Sequence, residues 1–198
     1  ADRRHGLGQF IVDMRSSGLK VNPIRNLAGE HEFNEVVFDD VAVPDGMRLG
    51  PPDEGWAQLI SELAFERSGP DRFLSALELL RCFIDAVGPD PTDEEANLIG
   101  RFRAHLWTLR HMSLSVASAL GARSPDVEAS IVKELGTRME QDIVVQCLAL
   151  RPVGVMGGDA DVYEAACARA MLYMPRVTIQ GGTPQIVRNA IARGLGLR

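Results

Sequence analysis

A chain of 198 residues with 45% hydrophobic and 24% charged side chains has the make-up of a folded globular protein, which excludes a disordered or low-complexity polymer. Its formal net charge of −6 excludes the global basic field on which non-specific nucleic-acid binding rests. Cys82, Cys147 and Cys167 are odd in number and widely spaced, which argues against a disulfide framework or a CxxC metal clip and for reduced thiols in a cytoplasm, and no run approaches the roughly 18 apolar residues of a membrane span.

The first fifty residues read as β. "GQFIVDM" (8–14), "LKVNPI" (19–24) and "NEVVFDDVAVP" (34–44) are short runs rich in Val, Ile and Phe, separated by "SSG" and "NLAGEHE" turn chemistry. So few strands do not close a stable sheet by themselves, so residues 1–50 are expected to be the C-terminal part of an incomplete β-domain.

From Asp53 onward the pattern is helical. A first helix is expected from about Asp53 to Val87, with Asp53 or Glu54 in its first turn and a bend near Gly69-Pro70, where the proline lacks an N–H. Thr92 then serves as an N-cap, with Glu95 closing a capping box, and a second helix runs to about Ala122 on Leu98, Phe102, Leu106, Leu109, Leu114 and Val116. A third spans about 126–149, with Ile131, Leu135, Met139 and Ile143 as its apolar face. A fourth spans about 162–174 and is expected to stop before Pro175, because a residue preceding proline is pushed out of the α region. Thr183 caps a last helix with Pro184 at its first position, and Gly194 or Gly196 ends it. The expected fold is mainly α: a partial β-domain (1–50), then an antiparallel four-helix-bundle-like domain (51–198).

One position conflicts with a plain amphipathic reading. Leu59, Leu63 and Glu66 fall on nearly one line of the first helix, since seven residues at ~100° each return Glu66 to about 20° from Leu59. A carboxylate therefore stands where a leucine is expected.

The series "GQFIVDMRSSGLKVNPI", "GEHEFNEVVFDDVAVP", "DEGWAQLISELAFER", "EASIVKELGTRMEQD" and "IQGGTPQIVRNAIARGLGL" resembles, in order and spacing, the second half of the acyl-CoA dehydrogenases. In that family an N-terminal helical domain and a central β-domain precede a C-terminal four-helix bundle. The resemblance therefore implies that this chain is the later portion of such a protein, a fragment or a truncated remnant. It also implies α,β-dehydrogenation of an acyl-CoA thioester with FAD as cofactor and an electron-transfer flavoprotein as acceptor. An unactivated C–H acid calls for a carboxylate of raised pKa in a dry pocket.

The family places its catalytic glutamate in one of two positions. The commoner lies just before the "GT" of the C-terminal loop, and here that slot is Gly181, which carries no base. The other lies on the first bundle helix, eleven residues beyond its opening glycine and followed by arginine. Counting eleven from Gly55 reaches Glu66, with Arg67 next. The resemblance thus implies Glu66 as base and Arg67 as a substrate-orienting residue, with Asp71 as second choice for the base. In the competing reading Glu66 snorkels to water or pairs with Arg67, Arg72 or a partner chain.

For the flavin, the resemblance carries over Gly182, Thr183 and Gln185, whose plainer role is helix capping. Two departures remove contacts that the family makes across its dimer interface. "RCFIDAVGPDPTDEEANLIGRF" lacks an "RxxFG" segment, and "LRPVGVMGGDADV" is a degraded "QxxGGxG". These losses fit a homo-oligomer less well than a heterotetramer with a second dehydrogenase-like subunit. Within such an assembly this chain is either the base-bearing subunit or a non-catalytic structural one. An acyl-CoA oxidase remains a third reading.

Overall fold

A computed structural model describes residues 6–154 and 161–197, and the chain divides between Glu62 and Leu63 into two compact units. The N-terminal unit holds two small antiparallel pairs. Strands β1 (Gln9–Phe10) and β4 (Arg48–Leu49) form one; β2 (Leu19–Arg25) and β3 (His31–Phe38) form the other, in the register Leu19 to Phe38 with an irregularity at Ile24/Arg25. Asn26 makes the hairpin turn, its side-chain oxygen accepting from the N–H groups of Ala28 and Glu30. All eight β3 residues are exposed, so this ribbon buries neither face within its unit.

Two strand expectations need correction. Only Gln9–Phe10 of 8–14 pairs, and the third strand is Phe38-terminated rather than running to Pro44, because Asp40 adopts a positive φ of 51° and turns the chain. β4 was not foreseen, being too short to alternate.

The first long helix is not bent but broken. Helix α1 (Gly55–Ser68) ends, a 3₁₀ turn covers Pro70–Arg72, and α2 (Leu77–Val87) begins afresh. Asp53 lies outside α1 at φ 68°, and Glu54 contributes only its carbonyl, which accepts from the Gln58 N–H. The break needs partners for the carbonyls that Pro70 strands, and it finds them in side chains: Ser113 donates to the Ser68 carbonyl at 2.6 Å and Arg72 to that of Glu66 at 2.8 Å.

Helix α3 (Asp93–Ala119) opens on the expected capping box. The Thr92 hydroxyl accepts from the Glu95 N–H, and the Glu95 carboxylate accepts from the Thr92 N–H at 2.9 Å. That carboxylate also takes the Arg151 guanidinium at 2.9 Å, tying the start of α3 to the end of α4 (Asp126–Leu150). Leu98, Phe102, Leu109 and Val116 are buried as expected, whereas Leu114 is exposed.

The face of α4 differs more. Met139 and Ile143 are buried, but Leu135 is exposed, and the remaining inward positions include Ser130, Lys133, Gly136, Thr137 and Glu140. Helix α4 packs against α2 and α3, and against α5 (Val162–Ile179) and α6 (Pro184–Gly194), so it needs an inward surface wider than one apolar stripe.

Helix α5 continues through Pro175, contrary to the expected stop. Its last turn is held from α4: Gln141 donates to Thr178 Oγ1 at 2.7 Å, and Lys133 Nζ reaches the Val177 carbonyl at 3.4 Å. Tertiary hydrogen bonds outweigh one lost intrahelical bond. The expected Thr183 cap is present, and α6 closes with Gly196 at φ 74°, the Leu197 N–H donating to the Ala192 carbonyl and that of Gly196 to Arg193. Part of the degraded glycine segment, residues 155–160, lies outside the described residues.

The core of the helical unit centres on Phe83, Phe102, Leu79, Ile143, Val132, Cys147 and Cys167. The three cysteines are free, and burial pushes the Cys147 thiol up to about 12. No described helix is long and apolar enough to cross a membrane.

The capping box yields a measurable expectation. Thr92→Ala should lower unfolding stability by about 1 kcal/mol in urea titrations, as loss of a threonine cap usually does. The Glu95 carboxyl is held below its ordinary value by the Thr92 N–H and by Arg151, so its stabilisation is present above that value and lost as pH falls through the folded one. Glu95→Gln should accordingly flatten the acid limb of stability.

Candidate functional site

The broken helix places a charged cluster beside the turn that precedes α6. Pro70 ends α1 early, and the 3₁₀ turn folds Arg72 back beneath the last α1 turn. The Arg72 side chain is 5% exposed. Its Nε donates to the Glu66 carbonyl at 2.8 Å and its Nη2 to Glu66 Oε1 at 2.9 Å, while Asp71 Oδ2 stands 3.3 Å from the same Nη2. One guanidinium thus caps the helix terminus and fixes the glutamate.

Glu66 itself is 44% exposed. This corrects the expectation that it points from the buried side of α1. Ala64 and Ser68, one turn apart, are the buried positions, whereas Leu59, on the line of Glu66, is exposed. The helix turns a different edge inward than the Leu59–Leu63–Glu66 line indicates, because its end docks through small residues. The pairing with Arg72 is one of the alternatives within the competing reading.

Glu66 nonetheless reaches the glycine turn. A Cβ on Gly181 would lie 3.5 Å from Glu66 Oε1 and 3.4 Å from Arg72 Cζ. Gly181 sits at φ 70° and Gly182 at φ 111°, so this turn presents bare backbone in a region that side-chain-bearing residues rarely adopt. Arg67 Nε donates to the Gly181 carbonyl at 3.1 Å, and its Nη1 lies 3.5 Å from Ser130 Oγ. Arg67 therefore ties the turn to α4, with one donor on each. Asp71 is largely exposed beside Arg72, and its short side chain serves the same ion pair.

Thr183 accepts from the Ile186 N–H, and the Gly182 N–H donates to the Ile179 carbonyl at 3.2 Å. The Gln185 side chain is exposed on the first turn of α6. The turn brings together side-chain-free backbone, the positive end of the α6 dipole and the Gln185 amide. That set fits close approach of a planar, anionic group such as a flavin nucleotide, although Thr183 and Gly182 are engaged in capping.

Behind the cluster, α4 contributes residues that sequence reasoning did not single out. A Cβ at Gly136 would collide with the Arg72 carbonyl, so only glycine lets the Arg72 turn pack this closely. Glu140, 3% exposed, accepts from the Ser75 N–H through Oε1 at 2.6 Å, while its buried Oε2 has no hydrogen-bond partner among the described residues. Lys133, 1% exposed, donates to Thr137 Oγ1 at 2.8 Å. The signal was available: Ser130, Lys133, Thr137 and Glu140 recur at three and four residues, a polar stripe that the apolar positions overshadowed. No group of three or more possible metal ligands occurs among the described residues.

Burial pushes the Glu140 carboxyl up, against the lowering pull of the Ser75 N–H and the nearby positive charges of Lys133 and Arg72, and burial pushes the Lys133 ammonium down. A carboxyl with a raised folded value contributes stability that is complete below its ordinary value and is lost as pH rises through the folded one. Wild-type stability minus that of Glu140→Gln should therefore fall as pH rises from about 4, the ordinary glutamate range. Urea unfolding at stepped pH measures it, and a pH-independent difference would contradict the assignment.

Comparison with known proteins agrees with this architecture. The profile of the family described as "Acyl-CoA dehydrogenase, C-terminal domain" matches residues 96–196. The chain is 28% identical over 200 residues to the acyl-CoA dehydrogenase FadE34 of Mycobacterium tuberculosis, covering 100% of this chain and 27% of that protein. Among solved structures it is similar to the Tcur3481-Tcur3483 steroid ACAD G363A variant, at TM-score 0.82 and 20% identity over 100% of this chain and 54% of the other. It is also similar to a chain of the ChsE4-ChsE5 complex from Mycobacterium tuberculosis, at TM-score 0.74 and 21% identity over 98% and 54%. At these identities the structural likenesses establish the fold, and the chain spans only about a quarter to a half of the proteins it matches. The chain belongs to the acyl-CoA dehydrogenase family, whose C-terminal helical domain it contains.

Proposed function

We propose that this chain supplies the base for α,β-dehydrogenation of an acyl-CoA thioester. The observation that supports this reading is the approach of Glu66 Oε1 to Gly181: the carboxylate from α1 stands against the turn position where a glutamate is commoner in this family. A base on either element serves one reaction centre, and here the turn has none.

The task of Glu66 is to take the proton from the α-carbon. Its Oε1 is held by Arg72, and its Oε2 takes no hydrogen bond among the described residues, which leaves one oxygen to accept. Bound FAD would supply the two-electron acceptor for the hydride that leaves the β-carbon as the double bond forms. Gly182, Thr183 and Gln185 are the residues that would hold it, the glycine and threonine by backbone approach and the glutamine by its amide. Arg67, bonded to the Gly181 carbonyl, keeps that turn in place and in this way orients whatever thioester lies against it. Asp71 remains the second choice as base, at the cost of a shorter side chain.

The wider assignment follows the same reading. The acceptor of the electrons is an electron-transfer flavoprotein, and the assembly is a homo-oligomer or a heterotetramer with a second dehydrogenase-like subunit, to which the ChsE4-ChsE5 complex offers a structural parallel. Three free thiols fit a cytoplasmic location. The alternative is a non-catalytic structural subunit. One observation favours it: Glu66 is half-exposed and already paired, the ordinary state of a surface carboxylate.

Glu66→Gln decides between them. The amide keeps an oxygen for Arg72 but accepts no proton. Dye-coupled oxidation of acyl-CoA by the assembled holoenzyme should fall by about 10²–10⁴-fold, the usual worth of a positioned base, with flavin content and melting temperature unchanged. Wild-type turnover in the variant leaves the structural-subunit reading standing.

A further inference from the structure

We infer that Arg72 is the positioning residue of the Glu66 carboxylate, holding one oxygen beside the glycine turn and leaving the other to accept the proton. The inference rests on the reading of Glu66 as base and goes beyond it in assigning how the base is aimed.

Three observations carry it. First, the Arg72 guanidinium is 5% exposed, so most of its donors must be satisfied by protein. It meets that need by gripping both the main chain and the side chain of one residue: Nε on the Glu66 carbonyl at 2.8 Å and Nη2 on Oε1 at 2.9 Å. Two contacts from one rigid fork fix the carboxylate relative to its own helix, which a single flexible ammonium does not do.

Second, the fork is itself anchored from behind. Helix α4 passes close enough to the Arg72 carbonyl that Gly136 has no room for a Cβ, and the Glu140 carboxylate holds the Ser75 N–H at 2.6 Å, three residues farther along the same loop. The segment carrying Arg72 is thus pinned at two points to the helix at the centre of the unit. Glu66, in the last turn of α1 and 44% exposed, has no comparable support for its side chain other than Arg72.

Third, the position is directional. Oε1 is taken by Arg72 on the side of Gly181, where a Cβ would lie 3.4 Å from Cζ, and Oε2 is unclaimed among the described residues. A carboxylate held by one oxygen offers the other, and a misplacement of about 1 Å in such a group costs roughly 10²-fold in rate.

The experiment compares Arg72→Met and Arg72→Lys in the assembled holoenzyme with acyl-CoA as substrate. Rate constants are measured together with solvent deuterium exchange at the α-carbon, flavin content and melting temperature. In Arg72→Met, kcat and α-proton exchange should both fall about 10²-fold while KM stays within about threefold, the pattern of a lost transition-state alignment rather than lost binding. Arg72→Lys, which keeps the charge but not the fork, should recover about tenfold of that loss.

Unchanged kcat in Arg72→Met, or a rise in KM alone, overturns the inference. So does a loss in both variants that is matched by loss of flavin or of melting temperature, since that is a structural role. If Arg72→Met yields no folded protein, Arg72→Lys decides: about a tenfold lower kcat at constant KM supports alignment by the fork, and wild-type kcat overturns it. Glu66→Gln separates the two levels of the argument. An active Glu66→Gln removes the base itself, whereas an inactive Glu66→Gln beside a fully active Arg72→Met removes only the role of Arg72.

Discussion

A single buried guanidinium organises this end of the molecule. Pro70 stops α1 and leaves carbonyls without donors, and Arg72 turns back to satisfy one of them. Once inside, its charge requires a counter-charge, because an unpaired buried cation costs several kcal/mol. Glu66 and Asp71 are the carboxylates within reach. The placing of Glu66 against the Gly181 turn follows from that requirement, not from burial of the glutamate.

The pair is strongly asymmetric, with the arginine buried and the glutamate half in water. Solvent screens the Coulombic attraction on the glutamate side, so the arrangement contributes position more than net stability. A base must be held and yet keep a free lone pair. Using two donors of one arginine, one on the backbone and one on a single carboxylate oxygen, meets both conditions. The glycine turn completes the geometry, since a Cβ at Gly181 would touch the Arg72–Glu66 pair at ordinary contact distance while the positive φ of 70° itself favours glycine.

Helix α4 bears the cost of this construction. Its inward surface carries Lys133 and Glu140, each displaced from its ordinary titration by burial, where an apolar bundle would place leucine. These groups are not idle. Glu140 secures the loop at Ser75, and Lys133 reaches across to the Val177 carbonyl in the last turn of α5, beyond Pro175. The polar stripe thus stabilises two irregular segments that lack internal support, the break after α1 and the end of α5.

Local chemistry was enough to settle much of the chain from its sequence. The Thr92–Glu95 box, the Thr183–Pro184 cap, the glycine stop of α6 and the extents of α3 and α4 depend on residues three or four apart, and all are legible without knowing what packs against them. The mainly helical fold follows from the same short-range patterns, and the family from the resemblance carried by five motifs in order along the chain. What only the tertiary structure decided are the features that depend on partners distant in sequence: the break between α1 and α2, the continuation through Pro175, the inward face of α4, and the exposed but clamped state of Glu66. Helical periodicity states which residues share a face, yet it does not say which face meets a neighbour, because that choice belongs to helices folded against one another from dozens of residues away.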